Sequence, residues 1–423
     1  MSQQPTLPDP VTEIPPSPEP RARAPWRLIP ALALGVVLVI VPYTGSLVTL
    51  VPARIALVDP QHKVALVATV ALAGAIVGLL ANILFGALSD LTRSRFGRRA
   101  PWLVVGALGS GAMLFGLGHA ASGGSIILWW CLYQLFLNAV LAPMVAVIPD
   151  RVPTQRMGLF SATYGAGMIV GGSGGIAIGG SLVLNTQTGF AIFAVLALAS
   201  GLLFAVIAGE PSNRHVQRPT FTPRMLLHHF SFPRRGARDL YLALFGKLFQ
   251  VIASYGLANF QLYVLTDYMH VGLAGAGAIS AKVSLLGFPI SIALGIVFGL
   301  VSDRIGRRKI LVMGSALLSA IAVLFPYFVP AVWAFVIYGL ITSAAQGIYS
   351  SVDQALNNEV LPSKETAAKD LGILNMATTG GMVLGPALCS IVVSATGYRQ
   401  LFLMAGVSLV LSAVVIKTIR RVR

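Results

Sequence analysis

Only a handful of side chains in this chain of 423 residues have the chemistry to do more than pack. Lys247 and Asp353 stand inside long apolar stretches, where an isolated charge is costly and a partner of opposite sign relieves the cost. Lys247 lies about eight residues into its stretch and Asp353 about six residues inside Glu359, so at roughly 1.5 Å per residue both are ~9–12 Å deep. Matching depth predicts that they pair across a cavity when its inner side is closed; the alternative is that both snorkel to the inner surface. The carboxylate of Asp353, released when the pair opens, is then the leading candidate to carry a proton. Other polar residues recur at helical spacing. At 100° per residue Lys247, Gln250, Ser254 and Gln261 fall within an arc of about 60°, and Tyr338, Thr342, Gln346, Tyr349 and Asp353 within about 80°. Trp130, Tyr133, Gln134 and Asn138 share one broad face, and Tyr43, Ser46 and Arg54 another. Amides supply directional donors and acceptors while aromatic rings offer an apolar face, a combination that suits a pyranose. The candidate binding residues are therefore Tyr43, Tyr133, Gln134, Asn138, Gln250, Gln261, Tyr338, Gln346 and Tyr349, with hydrogen bonding between helices as the alternative role for the Gln and Asn side chains. Lys247, Asp353, Arg54 and Asp267 are the candidates for gating or coupling.

The elements that must position these groups follow from composition. Hydrophobic residues make up 56% of the chain and charged residues 10%, with a mean hydropathy of +0.80. Soluble domains carry roughly 25% charged residues, so most of this surface must face lipid. Soluble enzymes, disulfide-stapled miniproteins and disordered scaffolds are excluded; Cys131 and Cys389 both lie in apolar runs. Apolar stretches of about 20 residues, each able to cross a hydrocarbon core as a helix, recur near 28–52, 64–89, 101–119, 124–148, 157–181 and 188–208. Six more follow near 240–264, 276–302, 309–328, 331–355, 368–394 and 397–417. The expected fold is an all-α polytopic membrane protein of twelve transmembrane helices in two six-helix halves, 28–208 and 240–417. Residues 1–27, with eight prolines among the first 25, read as a disordered tail, 209–239 as a polar linker and 418–423 as a basic tail.

A net charge of +16 on a small soluble domain would suggest nucleic acid. Its distribution argues otherwise. The amino terminus, the even-to-odd loops and the carboxyl terminus hold 25 of the 30 Lys and Arg residues, whereas the opposite loops hold Arg54, Lys63 and Arg399. Positive loops tend to stay inside, so both termini are expected in the cytoplasm of an inner or plasma membrane protein, with the lipid bilayer and no nucleic acid as partner.

The chain also repeats itself. Gly86-Ala-Leu-Ser-Asp90 returns as Gly299-Leu-Val-Ser-Asp303, each followed by Gly-Arg-Arg, at 97–99 and 306–308; Asp150-Arg-Val-Pro153 is echoed by Glu359-Val-Leu-Pro362. The loops 86–99 and 299–308 resemble the signature loop of the major facilitator superfamily. Asp90, Arg93, Arg95, Arg98 and Arg99, with Asp303, Arg304, Arg307 and Arg308, would form charge networks that switch with conformation. Ser89-Asp-Leu-Thr-Arg-Ser-Arg-Phe-Gly-Arg-Arg-Ala-Pro-Trp102 is similar to the glycoside–pentoside–hexuronide symporters and sucrose-type transporters, and Thr266-Asp-Tyr-Met269 to an element of the sucrose-type group. That resemblance implies the major facilitator fold, alternating access between the halves, a central cavity lined by the first, fourth, seventh and tenth spans, and a sugar or glycoside as small-molecule substrate. Melibiose-type members bind the coupling cation with aspartates in the second span. Residues 64–89 hold no acid, and Asn82 is the one strongly polar group deep in that span, so the expectation is H+ as driving ion, with simple facilitation as the alternative.

Gly167, Gly171, Gly175 and Gly179 form a ridge at four-residue intervals, expected against the eighth span at the interface between halves. A homodimer seam is the alternative; a monomer is expected. No phosphate-binding loop marks an ATP-driven pump, and His228-His229 lies in a basic loop without a ligand set, so no enzyme, metal or cofactor is expected. The second reading is an exporter of apolar drugs or metabolites, since Met144, Met168, Phe249 and Phe260 would suit a greasy cavity.

Overall fold

A computed structural model describes residues 25–214, 237–361 and 367–420. Most of the 1–27 tail, most of the 209–239 linker with His228-His229, Pro362 and the last three residues lie outside the described residues. Twelve spans are present: α1 Leu28–Val58, α2 Lys63–Leu91, α3 Ala100–Gly118, α4 Gly123–Arg151, α5 Met157–Ser181 and α6 Thr186–Ala208. Then come α7 Arg238–Tyr268, α8 Leu273–Ile305, α9 Arg308–Phe328, α10 Val332–Glu359, α11 Ala367–Thr396 and α12 Arg399–Lys417. Eleven of them are long and apolar enough to cross a membrane. The exception is α5, whose glycines dilute its hydropathy without shortening it. A helix satisfies every internal N–H and C=O with its own backbone, which is why apolar sequence in lipid takes this form.

The largest departure from the sequence-based bounds is α1, which runs six residues further than expected. It does so through a π-helical turn at Ser46–Leu50, and α7, the first helix of the second half, carries another at Val264–Tyr268. Helix ends follow local chemistry. Ser122 and Ser125 cap α4 reciprocally, Asn185 caps α6, and α8 stops at Gly306, whose φ of 63° a glycine adopts without strain.

The helix pairings reproduce the sequence repeat. Within the first half the extensive contacts are α1 with α5 and α6, α2 with α4, and α3 with α4 and α6. Adding six to each label yields the second half's contacts: α7 with α11 and α12, α8 with α10, α9 with α10 and α12. The halves meet through α2 against α11 and α5 against α8, which exchange under the same operation. This is a pseudo-twofold arrangement, as parallel repeats demand.

One expectation is corrected. The glycine ridge of α5 packs inside its own half against α1: a Cβ on Gly167 or Gly171 would press on Val36 or Ile40, and one on Gly175 would strike the Val41 carbonyl. The neighbouring face of α5 meets α8, where Gly180 and Gly277 bring their backbones together. Four-residue periodicity identifies a close-packed face but not the helix that fills it.

Candidate functional site

The helices enclose a cavity of 420 Å³. Its wall comes mainly from α5, α7, α8 and α10, with Thr44 from α1 and Ser319 and Leu409 from α9 and α12. Gln261, Tyr338 and Gln346 line it, together with Ser254, Ser280, Ser284, Thr342 and Ser343. Phe288, Phe335, Met168 and Leu257 supply apolar wall, and no Lys, Arg, Asp or Glu is in the lining. Polar side chains reach this space because α7 and α10 each turn one stripe inward. Ser254 and Thr342 spend their hydroxyls on the preceding turn, donating to Gln250 and Tyr338 carbonyls. Ser280 is buried with its hydroxyl unpaired.

Lys247 and Asp353 meet at the edge of this region. Nζ donates to Oδ2 at 2.8 Å, both side chains are nearly buried, and Asn357 donates to the same oxygen at 2.9 Å. The pair joins α7 to α10 inside the second half. Both partners belong to one half, so the pair itself makes no contact between halves. The remaining α7 and α10 candidates divide from the stripe: Gln250 and Tyr349 are buried and are not part of this cavity's lining.

Tyr43, Tyr133, Gln134 and Asn138 also stay out of the cavity lining. They form a cluster in the first half around buried Trp130, which stacks on Tyr43 at 6.4 Å and tilts against Tyr133 at 5.4 Å. Asn82 of α2 donates to Asn138 at 3.2 Å, and Asn138 donates to the Gln134 carbonyl. The interior face of α4 is thus consumed by α1 and α2. Arg54 donates twice to the Ala120 carbonyl and once to Thr186, joining the α3 exit to the α6 entry within the first half.

On the basic face Arg99, almost fully buried, is held by Asp150 at 2.9 Å and Asp90 at 2.7 Å and donates to Ser89. Arg98 reaches Asp150 at 2.5 Å. Arg93 donates to the Asp90 and Thr92 carbonyls, and Arg95 covers the Phe96 ring. Two residues beyond α6 complete the knot: Glu210 accepts from the Arg99 and Ala100 amides, and Asn213 bonds the Ser94 amide and Thr92 carbonyl. Sequence reasoning assigned neither. The second loop is plainer. Arg308 pairs with Glu359 at 2.5 Å, whereas Asp303, Arg304 and Arg307 are exposed and form no ion pair among the described residues.

Asp267, on the opposite face, accepts from Lys63, Thr266 and Tyr398. Lys63 and Tyr398 carried no assigned role; a lone lysine opening α2 offers no periodic signal. Among the described residues, no group of three His, Cys, Asp or Glu is arranged to hold a metal.

Known structures share this architecture. A bacterial homolog of the human lysosomal transporter Spinster, inward-facing and occupied, superposes with a TM-score of 0.70 at 17% identity, covering 94% of this chain and 97% of that one. A mutant of the nucleoside transporter NupG gives 0.73 at 14% identity, covering 93% and 99%. The human organic anion transporter MFSD10 gives 0.65 at 15%, covering 94% and 100%. No curated protein matches by sequence. The Major Facilitator Superfamily profile matches residues 32–296 and 243–423, and with twelve helices in two matching halves around one cavity the chain belongs to that superfamily of transporters, not to an enzyme family.

Proposed function

We propose that the chain carries a small neutral solute bearing several hydroxyls, a sugar or glycoside, by alternating access, with its basic face in the cytoplasm. The lining carries this reading. Its hydroxyls and amides stand beside Phe288, Phe335 and Tyr338, and it offers no counter-ion to a charged cargo. At 420 Å³ the space lies in the range of small-molecule sites, roughly 300–1,000 Å³. In this orientation the conformation is inward-open, because the hydrogen bonds and ion pairs between the halves among the described residues lie at mid-depth or on the outer side. We further propose proton coupling through Asp353. It stands three residues beyond cavity-lining Ser350, about one helical turn toward the cytoplasm, and its neutralisation would free Lys247.

The test is thermal unfolding of purified protein against monosaccharides, disaccharides, nucleosides and apolar drugs, followed by proteoliposome uptake under a pH gradient. A sugar should raise the unfolding temperature, and Gln346→Ala should weaken its affinity about 2- to 10-fold by removing one hydrogen-bonding group. If no sugar acts and apolar compounds do, the second reading stands: Met168, Ile169, Leu257, Val323 and Leu409 give that cavity the greasy wall an exporter of apolar compounds needs.

A further inference from the structure

The outer face is closed by a small group of polar contacts spanning the two halves. Lys63 is the first residue of α2, and its ammonium lies 2.7 Å and 2.8 Å from the two carboxylate oxygens of Asp267 in the π turn of α7. Asp267 is already oriented by its own half, accepting from Thr266 at 2.8 Å and from the Tyr398 hydroxyl at 2.7 Å. Burial and the neighbouring carboxylate push the Tyr398 hydroxyl well above a tyrosine's usual pKa, so it remains a donor. The Lys63 ammonium also lies 5.1 Å from the Tyr263 ring, whose hydroxyl donates to the Pro52 carbonyl just past the π turn of α1. Both charged side chains are about three-quarters shielded from solvent. Of the ion pairs among the described residues, this one joins the halves and every other stays within one half.

From this geometry we propose that Lys63, Asp267 and Tyr398 form a latch that holds the outer face shut and makes the inward-open state the resting one. The division of donors fits a reversible device. When the outer face opens, Asp267 keeps Tyr398 and Thr266, which belong to its own half, and only Lys63 loses its partner. At the end of a span its long side chain reaches water, so opening strands no charge in lipid. The symmetry-related helices, α1 and α8, carry no ion pair among the described residues, so the latch is present once and biases the cycle in one direction. This inference uses the orientation proposed above but not the identity of the cargo, so it stands or falls separately from the sugar reading.

A cysteine reports on the seal. Val183 is 1% exposed and meets Gly277 at the outer contact between halves, so Val183→Cys, with Cys131 and Cys389 changed to alanine, should react with an outside, membrane-impermeant maleimide only when that face opens. Lys63→Gln and Asp267→Asn should each raise the labelling rate about tenfold, the loss of one charge-assisted contact. Tyr398→Phe should raise it about threefold, and the exchange Lys63→Asp with Asp267→Lys should return it toward the parent. Unchanged rates in both neutralised proteins would overturn the latch, as would an exchange that labels as fast as they do. Ala107→Cys, buried in the first half away from the seal, checks folding. Where it labels too, Tyr398→Phe decides, and an unchanged rate there overturns the proposal.

Discussion

The Lys247–Asp353 pair can be tested by a double-mutant cycle whose size follows from its surroundings. The two side chains are 12% and 13% exposed, so removing one leaves the other largely cut off from water. Breaking a buried pair costs about 3–5 kcal/mol. In Lys247→Met the carboxylate keeps the Asn357 donor at 2.9 Å, a contact to charge worth about 1.5–3 kcal/mol, so the expected loss falls to about 2 kcal/mol. Asp353→Asn leaves the ammonium with no carboxylate and should cost about 3 kcal/mol. The double variant strands neither charge, so it should cost clearly less than the sum, with a coupling of about 2 kcal/mol. Denaturant unfolding of purified protein measures all three. Additive losses would mean that the side chains reach water independently, and the pairing would have no energetic content. Transport supplies the second readout: Asp353→Asn should abolish uphill uptake while sparing exchange. If the pH dependence of uptake is unchanged in that variant, proton coupling through Asp353 is wrong.

Two contrasts probe the scaffold. Arg99→Lys removes a planar fork that engages Asp90 and Asp150 together and should destabilise by about 2–3 kcal/mol, while Arg307→Lys, at an exposed site without an ion pair among the described residues, should stay within about 0.5 kcal/mol; unfolding free energies compare them. Gly175→Val drives a side chain into the Val41 carbonyl and should lower the yield of folded protein sharply, whereas Gly172→Ala meets nothing within 4 Å and should be tolerated; size-exclusion profiles read both outcomes.

Most of the fold was legible because lipid imposes a single rule on the chain: each crossing must be helical and apolar for about 20 residues. Composition and window length therefore locate α2 to α12 within four residues at each end. The error at α1 has a local cause, since the π turn at Ser46–Leu50 continues a helix through residues whose hydropathy has already begun to fall. The site was legible only in part. Helical periodicity says that Gln261, Tyr338 and Gln346 share a face with polar neighbours, and those three do line the cavity. The same periodicity describes Tyr43, Tyr133 and Asn138 equally well, yet their face packs against helices of its own half around Trp130. An amide satisfied by another helix and an amide offered to a solute have the same spacing in sequence. What separates them is which helix lies opposite, and that depends on pairings between residues distant in the chain.

The repeat sharpens this point, because the two halves agree in helix pairing and differ where charge is placed. Asp90 and Asp303 occupy corresponding loop positions, but Asp90 is bound to buried Arg99 and the knot is closed by Glu210 and Asn213, residues of the segment leading out of the first half. Among the described residues the second loop has Arg308 on Glu359 and little else. A similar imbalance holds on the other face, where one lysine–aspartate pair bridges the halves and its symmetry mate is absent among the described residues. Apolar packing dominates the helix contacts and tolerates duplication, since any well-filled groove serves in either half. Charge in a poorly solvated setting does not, because each added ion needs a particular partner within about 3 Å. A duplicated scaffold can therefore keep its symmetry in packing while losing it in charge, and the direction of a conformational bias comes from the charged positions at which the repeat fails.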